Sequence, residues 1–232
     1  GRAERMRYKA VLFDLDGTLI DSEKNYAVSD RQFLSEYGIE LTEELQSHLI
    51  GIGSSEMLAW LRERHGITEP VETMLAKKNE LYLELARRNT EVFPEMRKVL
   101  EELSRRKIPM AVASGSSRSV VLELLERLRL ERFFNAVLSS EEVPRGKPHP
   151  DVFLETANRL GVEPSYCLVV EDSRHGVEAA LEAGMEVVAV PTIVTDPIHE
   201  SFTKATLLFP RGMSEFSAER FFSWFDGSRV SV

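Results

Sequence analysis

Two carboxylates two residues apart, Asp14 and Asp16, close the apolar run Ala10 to Phe13 in the segment Val11-Leu12-Phe13-Asp14-Leu15-Asp16-Gly17-Thr18. A short, wholly apolar run of this kind reads as a strand buried on both faces of a parallel sheet. Such sheets gather ligands beyond the carboxyl ends of their strands. Positions two apart on a strand share a side, so both carboxylates can converge on one reacting centre. That pairing suits a nucleophile with an acid/base beside it. An ordinary strand ending in Asp-x-Asp at a polar loop would look the same, so other residues must separate the two readings.

Three further polar groups follow apolar strands or lie in loops. Ser114, Gly115 and Ser116 come after Pro109 to Ala113, Lys147 sits in Gly146-Lys147-Pro148, and Glu171-Asp172 follow Cys167 to Val170. Each has a bland reading: a Ser-Gly turn, a solvated lysine, a pair of acids favourable at a helix N-terminus. Taken together they read differently. Ser114 and Gly115 stand between a strand and a helix, where a hydroxyl and free backbone N–H groups can hold phosphoryl oxygens. Two carboxylates at a strand end beside Asp14 need a cation, or they repel and raise each other's pKa. An all-oxygen donor set with carboxylates suits Mg2+.

The elements that must carry these residues alternate. Segments Pro94 to Arg106, Pro109 to Ala113, Ser117 to Leu128, Ala136 to Ser139, Pro150 to Leu160, Cys167 to Val170, Arg174 to Ala183 and Val187 to Val190 read as helix and strand in turn. That alternation predicts an α/β fold with a doubly wound, Rossmann-like parallel sheet. Pro94 and Pro150 suit the first turn of a helix, and Gly161 and Gly184 the opposite ends. Between them, residues 21–90 show helical periodicity and predict an inserted α-helical cap, leaving 6–20 and 91–232 as the core domain. Its first helix is expected to carry Tyr26, Phe33, Leu34 and Tyr37 inward. Further elements surround Leu45 to Ile50, run from Ser54 or Ser55 through Leu61, and follow Pro70. Ala205 to Phe209 reads as a short strand. Ser214 to Phe225 reads as a terminal helix whose aromatics dock onto the core.

The four elements in this order resemble the haloacid dehalogenase superfamily, in its β-phosphoglucomutase-like phosphatase branch with a helical cap. The resemblance covers nearly the whole chain. It implies that Asp14 attacks phosphorus to form an aspartyl phosphate, and that Asp16 protonates the leaving oxygen and then activates water. It also implies that Mg2+ is held by Asp14, Asp172 and the Asp16 carbonyl, with Glu171 supporting, while Ser114 and Lys147 balance the transferring phosphoryl. Gly115, Ser116 and Arg118 would then contact substrate. Relatives that dehalogenate lack the second Asp and need no magnesium, so Asp16 and Glu171-Asp172 argue against that chemistry. Phosphomutases remain an alternative, although they typically carry a His near Tyr26 and an Arg in the cap loop where Gly51-Ile52-Gly53-Ser54 places Ser54. Arg118 is the candidate replacement for that Arg. A phosphoacceptor signalling domain uses similar groups, but the insert and the acid/base at Asp16 favour turnover.

Composition sets outer bounds. The chain has 232 residues, 43% of them hydrophobic, enough for a real core. Its net charge of -9 argues against nucleic-acid or anionic-membrane partners, and no run approaches the roughly 20 apolar residues needed to span a bilayer. The expected partner is a small phosphorylated metabolite, with a sugar phosphate the expected class, met by a cytoplasmic monomer or weak homodimer. Gly1 to Arg5 read as residues ahead of a native start at Met6. Cys167 alone cannot form an internal disulfide and reads as core, and His48, His65, His149, His175 and His199 show no metal-ligand pairing.

Overall fold

A computed structural model describes residues 4–5, 7–49, 52–227 and 230–231. Met6, Ile50 and Gly51 lie outside these residues. Ahead of Met6, β1 (Glu4–Arg5) pairs antiparallel with β8 (Val230–Ser231).

The main sheet has six parallel strands in the order β4 (Ala136–Ser139), β3 (Met110–Ser114), β2 (Ala10–Phe13), β5 (Cys167–Glu171), β6 (Glu186–Ala189) and β7 (Leu207–Leu208). Every residue of β2, β3 and β5 is buried, as their continuous apolar runs require. Their side chains alternate between two cores. Val11, Phe13 and Val112 face one layer with α5 (Pro94–Arg105), α6 (Arg118–Arg127) and α9 (Ala218–Gly227), while Ala10, Leu12 and Ala111 face α7 (Asp151–Leu160) and α8 (Arg174–Glu182). Met96, Val99, Leu100 and Leu103 make the buried stripe of α5 at the 3.6-residue period. The chain winds outward from β2 through β3 to β4, then returns to the far side of β2 as β5. That reversal opens a crevice beyond the carboxyl ends of β2, β3 and β5.

The insert leaves the sheet and returns to it at one place. Ile20 bridges Val92 antiparallel, the Asp21 N–H donates to the Glu91 carbonyl at 2.9 Å, and the Phe93 N–H donates to the Leu19 carbonyl at 2.9 Å. Between them run α1 (Glu23–Ser35), α2 (Glu43–Leu49), α3 (Ser54–His65) and α4 (Val71–Asn89). Phe33, Leu34, Leu49, Met57, Leu58, Leu61 and Met74 form a separate apolar cluster there.

Several expectations shift. The terminal helix starts at Ala218 instead of Ser214, because the Ser217 hydroxyl accepts from the Arg220 N–H at 3.1 Å and caps it there. Its Phe221 and Phe225 bury fully with Phe209 and Phe216 in the core, as expected of a docking helix. Pro150 precedes α7 as its cap residue, not within its first turn. Tyr37 falls beyond the end of α1, where its hydroxyl donates to Glu69, and Tyr26 turns away from the insert's apolar cluster toward the crevice. Cys167 is buried in β5.

Candidate active site

Lys147 is the cation at the floor of the crevice. Its ammonium, 1% exposed, has three donors and meets three acceptors: Asp14 Oδ1 at 2.9 Å, Glu171 Oε2 at 2.7 Å and the Ala113 carbonyl at 3.0 Å. Burial alone would push this amine's pKa down, but Asp14 and Glu171 overcome burial and hold it above the ordinary lysine range. Lysine therefore stays charged and ties the ends of β2 and β5 to the loop after β4. The other oxygen of Glu171 accepts from the backbone N–H groups of Asp172 and Ser173 at 3.0 and 3.2 Å. Glu171 is thus spent on structure.

Asp172 is placed by two threonines. Thr18 donates to its Oδ1 at 3.1 Å and Thr192 to its Oδ2 at 2.6 Å. Burial, then Asp14 and Glu171, push its pKa well above the carboxylate range. Asp14, Glu171 and Asp172 offer ligand atoms within 4.8 Å of one another, all buried, and Lys147 is the ammonium paired with Asp14 and Glu171. One ammonium cannot balance three carboxylates. The acidic set fits a divalent cation, with Asp14 and Asp172 the two whose oxygens are not consumed by Lys147 and backbone together.

Asp16 sits at the opposite wall, and its carboxylate accepts from Ser22 Oγ at 2.9 Å and Ser116 Oγ at 2.7 Å. Burial raises its pKa, and the two hydroxyls counter part of that rise. A raised pKa favours the acid form, which can give a proton to a leaving oxygen. Ser116 Oγ also lies 2.7 Å from the Tyr26 hydroxyl, and Tyr26 stacks on Tyr82 with ring centroids 3.8 Å apart. The insert thereby reaches the acid through Tyr26 and Ser116. Tyr26→Phe removes one hydrogen bond of roughly 0.5–1.5 kcal/mol from this chain. It is expected to lower kcat about 3- to 10-fold with little change in KM; steady-state kinetics showing an unaltered kcat would remove Tyr26 from the role.

Two glycines exist because the carboxylates crowd them. Gly17 has φ +78°, and a Cβ there would stand 2.3 Å from Asp172 Oδ2. At Gly176, in the first turn of α8, a Cβ would stand 1.9 Å from the Glu171 carboxyl carbon. Gly176→Ala must displace that carboxylate from Lys147, at an overpacking cost of about 1–3 kcal/mol or more. A thermal melt should show the loss directly, and an unchanged Tm would mean the helix moves away freely.

The crevice between sheet and insert is narrow, about 90 Å³, and brings together Asp14, Asp16, Gly115, Ser116 and Asp172 from the expected set. Ser114 is fully buried beneath them; its hydroxyl accepts from the Ser116 N–H at 3.0 Å and shapes the loop. The structure places Arg118 outside this set. Its guanidinium donates to the Val137 carbonyl and to Glu142 Oε2, each at 2.9 Å, and it does not line the crevice. It starts α6, and the partly buried Glu142 carboxylate beside β4 is a better partner than an open cleft.

Residues not singled out in the sequence complete the roof: Glu23 and Asp30 from α1, Gln46 from α2 and Lys78 from α4. Lys78 is 4% exposed, 3.7 Å from Asp30. Burial, then Asp16 and Asp14, push Glu23 up to about 8. A signal for Lys78 was present, since Met74, Lys78, Tyr82 and Ala86 form the buried stripe of α4 at four-residue spacing. A lysine on an apolar stripe is out of place unless something polar faces it. Ser54 also lines the roof, and its N–H donates to the Gly115 carbonyl at 3.0 Å.

Residues 11–190 match the family described as haloacid dehalogenase-like hydrolase. A phosphorylated carbohydrates phosphatase from Thermotoga maritima is 35% identical over 182 residues, covering 77% of this chain and 82% of that protein. Fructose-1-phosphate phosphatase YqaB from Escherichia coli is 33% identical over 184 residues, covering 79% and 97%. In fold, the chain is similar to β-phosphoglucomutase from Clostridium difficile, with a TM-score of 0.80 at 24% identity over 95% of this chain and 98% of that one. With its sheet, its buried carboxylate set and these matches in agreement, the chain belongs to the haloacid dehalogenase-like hydrolase family.

Proposed function

We propose that the protein is a Mg2+-dependent phosphatase that hydrolyses a small phosphorylated metabolite, with a sugar phosphate the favoured class, and that residues 21–90 act as its cap. The observation that carries this reading is the crevice itself. Asp14 and Asp16 face one small cavity, Asp14 is backed by Lys147 at 2.9 Å, and polar groups of the insert roof it. Relatives that act on phosphorylated carbohydrates and on fructose 1-phosphate support the substrate class.

Asp14 Oδ attacks phosphorus, the bond from phosphorus to the ester oxygen breaks, and Asp16 gives that oxygen its proton. Water then loses a proton to Asp16 and attacks the aspartyl phosphate, releasing inorganic phosphate and restoring both carboxyl groups. Mg2+, held by Asp14, Asp172 and the Asp16 carbonyl, would supply positive charge against the phosphoryl oxygens. Lys147, bonded to Asp14 Oδ1 at 2.9 Å, holds that carboxylate in place for the attack. Gly115 and Ser116 border the space in which the phosphoryl group would sit. Gln46, Ser54 and Lys78 of the insert line the crevice, so movement of the insert would control how substrate enters it.

Hydrolysis is favoured over transfer between sugar positions. Ser54 offers the crevice only a hydroxyl, Lys78 in the roof is paired with Asp30 at 3.7 Å, and Arg118 is engaged with Glu142. Water is then the acceptor. A screen of phosphorylated metabolites with Mg2+, scored by kcat/KM, tests the assignment. Turnover should vanish on exhaustive chelation and return with Mg2+, and Ca2+ should inhibit because its looser coordination misplaces Asp14. Full activity in chelator would overturn the metal assignment, and conversion of β-glucose 1-phosphate to glucose 6-phosphate with little phosphate released would overturn the phosphatase.

A further inference from the structure

Asp172 also borders a second cavity, of about 170 Å³, which lies between Ser47 of α2, the start of α8 at Arg174, and the segment carrying Thr195 and His199. The reaction at Asp14 makes no use of it. Its hydrogen bonding does not close. The His199 Nδ1 accepts from the Ser201 N–H at 3.2 Å, which places the proton of a neutral imidazole on Nε2. That Nε2 faces Arg174 Nη1 at 3.3 Å, and a guanidinium can only donate. Two donors therefore point at each other. Arg174 Nε is buried with no partner, and among the described residues Arg174 has no carboxylate within ion-pair distance. Thr195 has given its own proton to the Pro197 carbonyl. Asp172, the acid at the border, has both oxygens turned to Thr18 and Thr192.

Donors that converge without an acceptor define what is missing: an anion able to accept from a guanidinium and an imidazole N–H at once. We infer that this cavity binds a phosphate-sized tetrahedral oxyanion, at a site separate from the one in front of Asp14. Charge-assisted bonds from Arg174 would anchor it, and His199 Nε2 would supply a second donor. Ser47 places a hydroxyl from the insert on the opposite wall. An occupied site then spans insert and core and favours the closed arrangement. The volume allows a phosphate ion with a few waters, each taking about 30 Å³. The anion is either free inorganic phosphate or a second phosphate group on the substrate; both present the same oxygens. The inference does not depend on turnover at Asp14.

Calorimetric titration of inorganic phosphate into the Mg2+-loaded protein tests it, with the Asp14 site capped by beryllium trifluoride as a phosphoryl mimic. One phosphate site should remain. Arg174→Gln should weaken it at least tenfold, Arg174→Lys should keep much of it, and His199→Asn, whose amide oxygen can still accept from Ser201, should weaken it several-fold. Absence of the remaining site, or affinity indifferent to Arg174→Gln in a protein that melts normally, would overturn the inference. Should Arg174→Gln fail to fold, His199→Asn decides in the same way. Kinetics with Arg174→Gln then separate the sources. A KM raised for a bisphosphorylated sugar and unaltered for its monophosphate assigns the substrate's second phosphate, and weakened inhibition by free phosphate assigns the ion. Neither change would overturn a role for the site. Should the uncapped protein show no turnover on any phosphate ester while phosphate still binds through Arg174, the phosphatase reading fails and this one stands.

Discussion

Asp14→Asn is expected to abolish turnover, with a loss on the order of 10⁵-fold or more, as removal of a nucleophile acting within a concerted set typically produces. The amide is nearly isosteric, so Lys147 keeps an oxygen to bond and the fold should survive. What goes is the negative charge that attacks phosphorus. Asp16→Asn should lose less, about 10² to 10⁴-fold, because it removes proton transfer from a nucleophile that remains. Rapid quench with labelled substrate should trap phosphate on Asp14 in the unaltered protein and none in Asp14→Asn. Label recovered on another residue, or kcat of Asp14→Asn within 100-fold of the unaltered protein, would sink the scheme.

Lys147→Met is expected to cost both activity and about 3–5 kcal/mol of stability, the range seen when one partner of a buried ion pair is removed. The ammonium is 1% exposed and bonded to Asp14 and Glu171, so its loss leaves those carboxylates and Asp172 buried together with no cation. For a chain of this size the change lowers Tm by roughly 10 °C. The pH dependence carries the sign. Lys147 has its pKa raised by folding, so its stabilisation is complete at neutral pH and fades only as pH climbs past about 10.4. Glu171 and Asp172 also have raised pKa values, burial being the first cause of each. The folded state then binds more protons than the unfolded one, and stability rises as pH falls. The deficit of Lys147→Met, measured by denaturant unfolding in chelator, should shrink from pH 8 toward pH 5. A deficit under 1 kcal/mol at pH 8, or one that grows on acidification, would show that Lys147 is not the counter-charge of this cluster.

Sequence alone determined the parts that are local. A short apolar run that closes in acids reads as a buried strand with those acids at its edge, and Ala10–Phe13 before Asp14 and Cys167–Glu171 before Asp172 are such strands. The order of strands and helices was enough to call the doubly wound sheet, and the strand ends carried Asp14, Ser114, Glu171 and Asp172 with them. Tertiary structure decided whatever depends on a partner far along the chain. Tyr26 sits on a helix whose pattern allows it to face either way, and only the distant Ser116 and Tyr82 make the crevice its better environment. Arg118 is close in sequence to the Ser114–Ser116 loop, yet the carboxylate of Glu142, brought beside it by β4, draws it outward. The pairing of Lys78 with Asp30 and the facing donors of Arg174 and His199 are joined across gaps that no periodicity spans. Charge and hydrogen-bond satisfaction act over a few ångströms of space, whatever the separation in sequence, and those few ångströms exist only once the chain has folded.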